Sequence, residues 1–422
     1  MSAALRRSFD SLSVPNYRRY FAGQLVSLTG NWTQTVAEVW LILSLTGSGV
    51  AVGLVTALQF LPILLFGALG GLLADRRSKR PLLIATQGLM AVPALVLLGL
   101  SVAGTIAPWV VYLLVFVRGT VNAVDNPVRQ SFVFEVVGPA RIVNAVSLNS
   151  VIVHSARIAG PALAGVLIAT VGVEPCFAIN ALSFAAMILA LGGMDRDALR
   201  AAPPGGEERG AVRAAFRYVR ATPELAVPLA LMALVGTLGL NFQVVLPLLA
   251  RFSFGGDASA YALLVSSMAV GSVVGALITG ARARTGPRLV AASSLAFGLL
   301  SLLAAVMPSL ALEALVLAPL GAATVTFAAS INSTLQLAVA PEMRGRVMAL
   351  YSVVFLGSTP IGGPLAGWLA EAYDPRVALL LAASAGLSAA WAAWALRARL
   401  ERPAAIRKVT ESLPAPKDRV LP

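Results

Sequence analysis

The 422-residue chain has one cysteine, Cys176, and one histidine, His154, so it can build neither a disulfide framework nor a Cys/His zinc site. Its only lysines are Lys79, Lys408 and Lys417, and none follows a glycine. The Gly-Lys-Ser/Thr loop that cradles nucleotide phosphates is therefore missing, which argues against ATP as an energy source. Charge is scarce as well: 12% of residues are Asp, Glu, Lys or Arg against 58% hydrophobic, with a mean hydropathy of +0.83. So little polar surface cannot cover a soluble globule, and the solvent is lipid. No nucleophile–base pair and no metal-ligating cluster stands out, so the chain reads as a non-enzyme that needs no cofactor.

What is present is a series of apolar runs, at about 20–46, 50–73, 82–103, 107–128, 142–170, 175–193, 226–250, 258–281, 288–307, 310–336, 346–371 and 375–397. Each is near the ~20 residues that a bilayer crossing requires. A formal charge of +13 would ordinarily raise nucleic acid as a partner. The placement of the bases excludes it: all but four of the 32 fall on one side of the spans, only Arg251 and Arg376 on the other, and Arg118 and Arg157 inside spans. That is the positive-inside bias, with both termini cytoplasmic. The first twenty residues are polar and basic without a small-residue cleavage pattern, so the first span is expected to persist as a helix.

Residues 194–225 break the series. Pro203-Pro204-Gly205-Gly206 precedes a basic stretch carrying Val212, Phe216, Tyr218 and Val219, which predicts a linker with a surface-lying amphipathic helix. The expected organisation is a six-helix bundle over 1–193, the linker over 194–225, a second bundle over 226–398 and a cytoplasmic tail over 399–422. The halves read as copies: Arg141 and Gly160-Pro161-Ala162-Leu163-Ala164-Gly165 recur as Arg344 and Gly363-Pro364-Leu365-Ala366-Gly367. Ser78-Lys79-Arg80-Pro81-Leu82 has a weaker counterpart in Thr285-Gly286-Pro287-Arg288-Leu289, where the acid supplied by Asp75 has been lost. Parallel six-helix repeats around a midplane site suit alternating access.

The stretch Gly71-Leu72-Leu73-Ala74-Asp75-Arg76-Arg77-Ser78-Lys79-Arg80 lies between two apolar runs. Small Gly71 and Ala74 are expected to let helices approach, and Asp75 to sit at the positive start of a helix. The bases Arg76, Lys79 and Arg80 hold the loop inside. With this stretch, Asn16-Tyr17-Arg18-Arg19-Tyr20, Leu45-Thr46-Gly47-Ser48, Phe60-Leu61-Pro62 and Arg157-Ile158-Ala159-Gly160-Pro161 make the chain resemble the major facilitator superfamily, in the branch of enterobactin exporter-like secretion carriers. Ser78 replaces the usual glycine, and the Gly-Pro element lacks the paired terminal glycines of the antiporter motif. The resemblance implies an all-α membrane protein of twelve transmembrane helices in two pseudo-symmetric six-helix bundles, exporting a small molecule against protons.

Charges inside a bilayer cost several kcal/mol unless paired or hydrated, so Glu38, Arg118, Asp125 and Arg157 are candidates for function. Arg118, Asn122, Asp125 and Arg129 share one helix face, which should line water or protein. Glu38 is read as a proton carrier whose protonation frees Arg118 or Arg157 for an anionic substrate, or as half of a fixed pair, or as a residue wetted by the outer vestibule. Asp125 is the next proton candidate. His154, on the face of Arg157, is either a relay or a packing residue. Asn31, Gln34, Asn122, Asn149, Asn241 and Gln243 could hydrogen-bond a substrate, and Trp32, Trp40 and Phe242 could stack on it, although such residues also bind helices together. Gly160-Pro161 and Gly363-Pro364 are expected as close contacts or hinges. Asp75 is expected near Gly345, paired with Arg129, as a latch on the outward-facing state.

Three functions are compatible with these residues: a proton-driven exporter, an uptake carrier of the same fold, and a non-transporting receptor or scaffold. The expected partners are the lipid bilayer, a small-molecule substrate and protons, with no nucleic acid. A composition rich in Ala, with Arg over Lys, points to a GC-rich bacterial genome, and the protein is expected as a monomer in a bacterial inner membrane.

Overall fold

The computed structural model describes residues 9–200, 211–281, 286–340 and 343–396, and among these there is no β-strand. Fifteen α-helices follow a short 3-10 turn at Asp10–Ser13: α1 Pro15–Thr46, α2 Gly49–Arg76, α3 Lys79–Val102, α4 Pro108–Val137, α5 Ile142–Thr170, α6 Glu174–Gly192, α7 Ala211–Ala221, α8 Pro223–Gly239, α9 Phe242–Leu248, α10 Ala258–Ala281, α11 Pro287–Ala305, α12 Leu310–Ala338, α13 Arg344–Gly357, α14 Thr359–Ala372 and α15 Pro375–Ala395. Local sequence starts and stops them. Prolines open α1, α4, α8, α11 and α15, where a missing N–H costs nothing. Ser48 and Asp374 cap α2 and α15 through their side chains. Gly47, at φ 62°, ends α1 in the left-handed conformation that closes many helices.

Two spans are discontinuous. α8 and α9 are separated at Leu240 and Asn241, and α9 runs on through a π-turn at Leu249–Ser253. α13 and α14 are separated at Ser358, and Pro360 stands in the first turn of α14, where its missing N–H costs nothing. The breaks meet: a side chain at Gly362 would collide with Asn241 and the Thr237 carbonyl. The expected hinges are thus corrected. Pro161 and Pro364 lie inside continuous helices, and the interruption falls upstream of Gly363-Pro364.

Among the described residues, ten spans are long and apolar enough to cross a membrane. The other two long helices are α1, of 32 residues, and α4, of 30. Both carry buried charges, Glu38 in α1 and Arg118, Asp125 and Arg129 in α4. α7 packs on α8 and α13 with Val219 buried and Phe216 exposed. The Pro203-Pro204-Gly205-Gly206 stretch, the Val212 side chain, Thr285 and the tail from 399 lie outside the described residues.

The same packing recurs in each half. α2 pairs with α4 as α10 pairs with α12, and α3 with α6 as α11 with α15. Across the halves α2 lies on α14, and α5 on α10. Close approach within the first half comes from Gly70, not Gly71: a side chain at Gly70 would strike the Ala123 carbonyl of α4, whereas one at Gly71 would meet nothing. One face of the molecule carries the start of α1 and the 77–78 and 138–141 loops, and is called here the terminal face. The opposite face carries the 47–48, 171–173 and 254–257 loops.

Candidate functional site

The halves seal near the opposite face. Side chains added at Gly49 and Gly53 of α2 would lie 2.5 Å from the Gly367 carbonyl and 2.6 Å from the Gly363 carbonyl of α14, so the two backbones touch. The Glu371 carboxylate, at the end of α14, accepts from Ser48 Oγ at 2.5 Å and from the Val50 N–H at 2.9 Å. Trp40 of α1 stacks on Tyr261 of α10, with centroids 6.2 Å apart and planes at 16°. Trp40 therefore belongs to this seal and is not a cavity residue. Phe242 packs edge-on against Phe297 in the core of the second half, which removes it from the cavity too.

Toward the terminal face the halves part. Side chains at Gly71 and Gly345 would meet nothing within 4 Å. On α5 the row formed by 143, 146, 150, 153, 157, 161, 164 and 168 follows one face at helical spacing. Its members Pro161 and Ala164 are buried, whereas Val143, Val146, Ser150 and Arg157 are exposed. A cleft therefore runs inward from the terminal face and ends one turn beyond Arg157.

Two networks of buried polar groups lie inside the first half. In one, Arg118 Nη2 donates to Glu38 Oε2 at 2.5 Å, Gln34 Nε2 to Glu38 Oε1 at 2.7 Å, Asn180 Nδ2 to Gln34 Oε1 at 2.5 Å, and Ser183 Oγ to Asn180 Oδ1 at 2.9 Å. Glu38 is 1% exposed, so it is not wetted by an outer vestibule. Arg118 Nε is buried with no acceptor. In the other, Asp125 accepts from Thr86 Oγ1 at 2.5 Å, Gln87 Nε2 at 2.9 Å and Arg129 Nε. Ser27 Oγ links Arg129 to Gln87. Two close-packed glycines of α1, Gly23 and Gly30, bring α6 near enough for Asn180 and Ser183 to reach this interior. Paired ions in so dry a setting hold each other in place, because separating them would leave uncompensated charge.

Several expected roles change. Arg129 pairs with Asp125 in the bundle interior, and the expected latch to Asp75 falls on a side chain outside the described residues. The side chains of Asp75, Ala74 and His154 lie outside the described residues. Lys79 and Arg80 are not loose inner bases: Lys79 pairs with Glu135 at 2.6 Å, and Arg80 donates to the Leu191 and Gly192 carbonyls at the end of α6. Arg76 is exposed at the end of α2. Asn149 is held by Gln24 and Asn241 by the Thr237 carbonyl, while Gln34 is consumed by Glu38. Asn31, Asn122 and Gln243 are half-buried and make no side-chain hydrogen bond among the described residues. Gly160 is the close contact expected of it, set against Trp32 and Thr33 of α1, with its carbonyl accepting from Thr33 Oγ1 at 3.2 Å.

Three acids were not legible as special. Glu135 and Glu371 sit at helix ends, where an acid reads as solvated. Glu313, in the first turn of α12 after the Ser309 cap, reads as a helix-start acid, yet it is fully buried with both carboxylate oxygens unpartnered.

A family model described as transmembrane secretion effector matches residues 7–419. The chain is 25% identical over 267 residues to the staphyloferrin A transporter of Staphylococcus aureus (strain NCTC 8325 / PS 47), covering 61% of this chain and 65%, just under two thirds, of that protein. It is 25% identical over 365 residues to the enterobactin exporter of Salmonella choleraesuis (strain SC-B67), covering 86% and 87%. Its fold matches the crystal structure of the nucleoside transporter NupG with a TM-score of 0.70 at 15% identity, covering 90% of this chain and 98% of that one. A match that runs through both halves, on a fold of duplicated helical bundles, places this multi-pass membrane protein in the transmembrane secretion effector family of major facilitator superfamily transporters.

Proposed function

We propose that this protein exports a small organic molecule from a bacterial cell in exchange for protons, by rocking its two six-helix halves about the central cleft. The observation that carries this reading is the pairing of a cleft open at one face with ionisable groups sequestered in the helices beside it. With both termini placed in the cytoplasm by the arginine distribution, the described state opens inward and is sealed outward at Gly49, Gly53, Gly363 and Gly367. Substrate enters from the cytoplasm toward Arg157, Trp32, Asn31, Asn122 and Gln243.

Glu38 and Asp125 are the proposed proton carriers. Each is held by an arginine and by an amide, so proton uptake releases a buried base whose new partner must come from elsewhere in the cycle. Residues 1–193 and 226–398 act as the moving bodies, and Gly71 to Arg80 closes against the start of α13 when the inner side shuts. A monomer in the inner membrane suffices. The export direction is supported by the similarity to an enterobactin exporter.

The test is proton flux in everted vesicles acidified inside. Candidate cargo added outside should draw stored protons out with the chain present and not with the Glu38→Gln, Arg118→Gln double variant, which removes both buried charges. Cargo-dependent flux of opposite sign would make it an uptake carrier, and no flux with any cargo would favour a scaffold.

A further inference from the structure

Arg157, midway along α5, is a base that no acid compensates among the described residues. Arg118 is tied to Glu38, Arg129 to Asp125, Lys79 to Glu135, and Arg80 to carbonyls of α6. Arg157 forms no ion pair and no hydrogen bond among the described residues. Its contact is with an aromatic face: the guanidinium carbon lies 5.1 Å from the centroid of the Trp32 indole. Its side chain is exposed and Trp32 of α1 stands against it, on a side of α5 away from the outward row of Val151, Ala162 and Val166, so it faces the interior cleft and not acyl chains. The α5 row agrees, because Arg157 stands at the inner end of that cleft, one turn below the buried Pro161 and Ala164.

A guanidinium is planar and carries its N–H donors in a fixed fork that engages an oxyanion through two parallel hydrogen bonds, and contact with the indole face limits how far it can swing. The surrounding chemistry is selective in the same sense. The buried acids of α1 and α4, Glu38 and Asp125, are already neutralised by their own arginines, which leaves the charge of Arg157 to set the potential met by whatever enters. A cationic guest would meet an unpaired base, whereas an anionic one would complete it.

We propose that Arg157, supported by Trp32, is the anion-binding subsite of the cleft, and that the molecules carried are organic anions held through a carboxylate or a similarly forked oxyanion. This rests on the transport reading for its biological sense, but the site itself is a binding property and can be tested without transport. Glu38 and Arg118 form a closed pair and serve another purpose; the substrate's countercharge is on α5.

The experiment measures equilibrium binding of two dyes that share one ring system, anionic fluorescein and cationic rhodamine 123, by fluorescence anisotropy on the purified full chain in zwitterionic nanodiscs. Wild type should bind the anion more tightly than the cation by about tenfold or more, the scale of one charge-assisted fork. Arg157→Gln should remove that preference with little change in thermal stability, since the side chain is exposed and its one aromatic contact is with Trp32. Arg157→Lys should restore part of it, and Trp32→Leu should weaken anion binding while leaving the charge in place. Equal affinity for both dyes, preference for the cation, no binding of either dye by folded protein, or an unchanged ratio in Arg157→Gln would each overturn the proposal. Failure of these outcomes with cargo-driven proton flux intact would remove the anion subsite and leave the transporter standing. The converse result would spare the subsite and remove proton exchange.

Discussion

Replacing Glu38 by Gln is the most informative single change. Glu38 and Arg118 are 1% and 6% exposed, and the carboxylate takes hydrogen bonds from both Arg118 and Gln34. The amide matches the acid in shape, but it exchanges one acceptor for a donor that faces the guanidinium and leaves Arg118 charged in a dry interior. Breaking a buried pair in this way costs about 3–5 kcal/mol. Arg118 Nε already has no acceptor, so no spare partner stands ready to absorb the loss. Against a total stability of about 5–15 kcal/mol, the fall should be large and visible as a lower unfolding temperature in detergent. Removing both charges in Glu38→Gln with Arg118→Gln should recover most of it, to within about 1 kcal/mol, because the penalty lies in the orphaned charge and not in the missing contact. The double variant is also the proper vehicle for function: folded, it should move cargo without responding to a proton gradient. A single variant as stable as wild type to within about 0.5 kcal/mol would show that the pair is not closed and dry. Retention of the wild-type pH dependence by the double variant would take Glu38 out of proton coupling.

Three further outcomes are expected. Gly53→Val should prevent the outer seam from closing, because its first side-chain carbon would fall 2.6 Å from the Gly363 carbonyl and 2.8 Å from Pro364 Cα; cysteines placed along the outer half of α2 should become reactive to an impermeant maleimide, and unchanged protection would refute the seam. Glu371→Gln removes the charge that holds Ser48 Oγ and the Val50 N–H, and should shift the balance toward outer opening by about two- to tenfold, read by distance measurements between spin labels on α2 and α14. Asp257 caps α10, and the Ser259 hydroxyl above all, with the Ala260 and Ser259 N–H groups, holds its carboxyl below the ordinary range. A depressed value stabilises the fold above the unfolded pKa of about 4 and is lost as pH falls through the folded one. Asp257→Ala should accordingly cost about 1 kcal/mol near neutrality, with the gap closing in acid, and a gap independent of pH would exclude the cap.

The sequence by itself determined the class of solvent, the number and rough limits of the spans, the duplication and the family resemblance, because these follow from composition and periodicity summed over twenty residues at a time. It also marked Glu38, Arg118, Asp125, Arg129 and Arg157 as exceptional, since a charge in an apolar run is costly wherever it points. Pairing was another matter. That Arg129 pairs with Asp125, that Gly70 and not Gly71 carries the close approach, and that Trp40 seals while Trp32 stands against Arg157 depend on which helix faces which. A rotation of 100° per residue separates those alternatives, and only the packed helices fix it. Glu313 and Glu371 make the same point from the other side: both begin as ordinary helix-end acids, and one is buried without a partner while the other clasps the opposite half, because burial belongs to the assembled fold and not to the local chain.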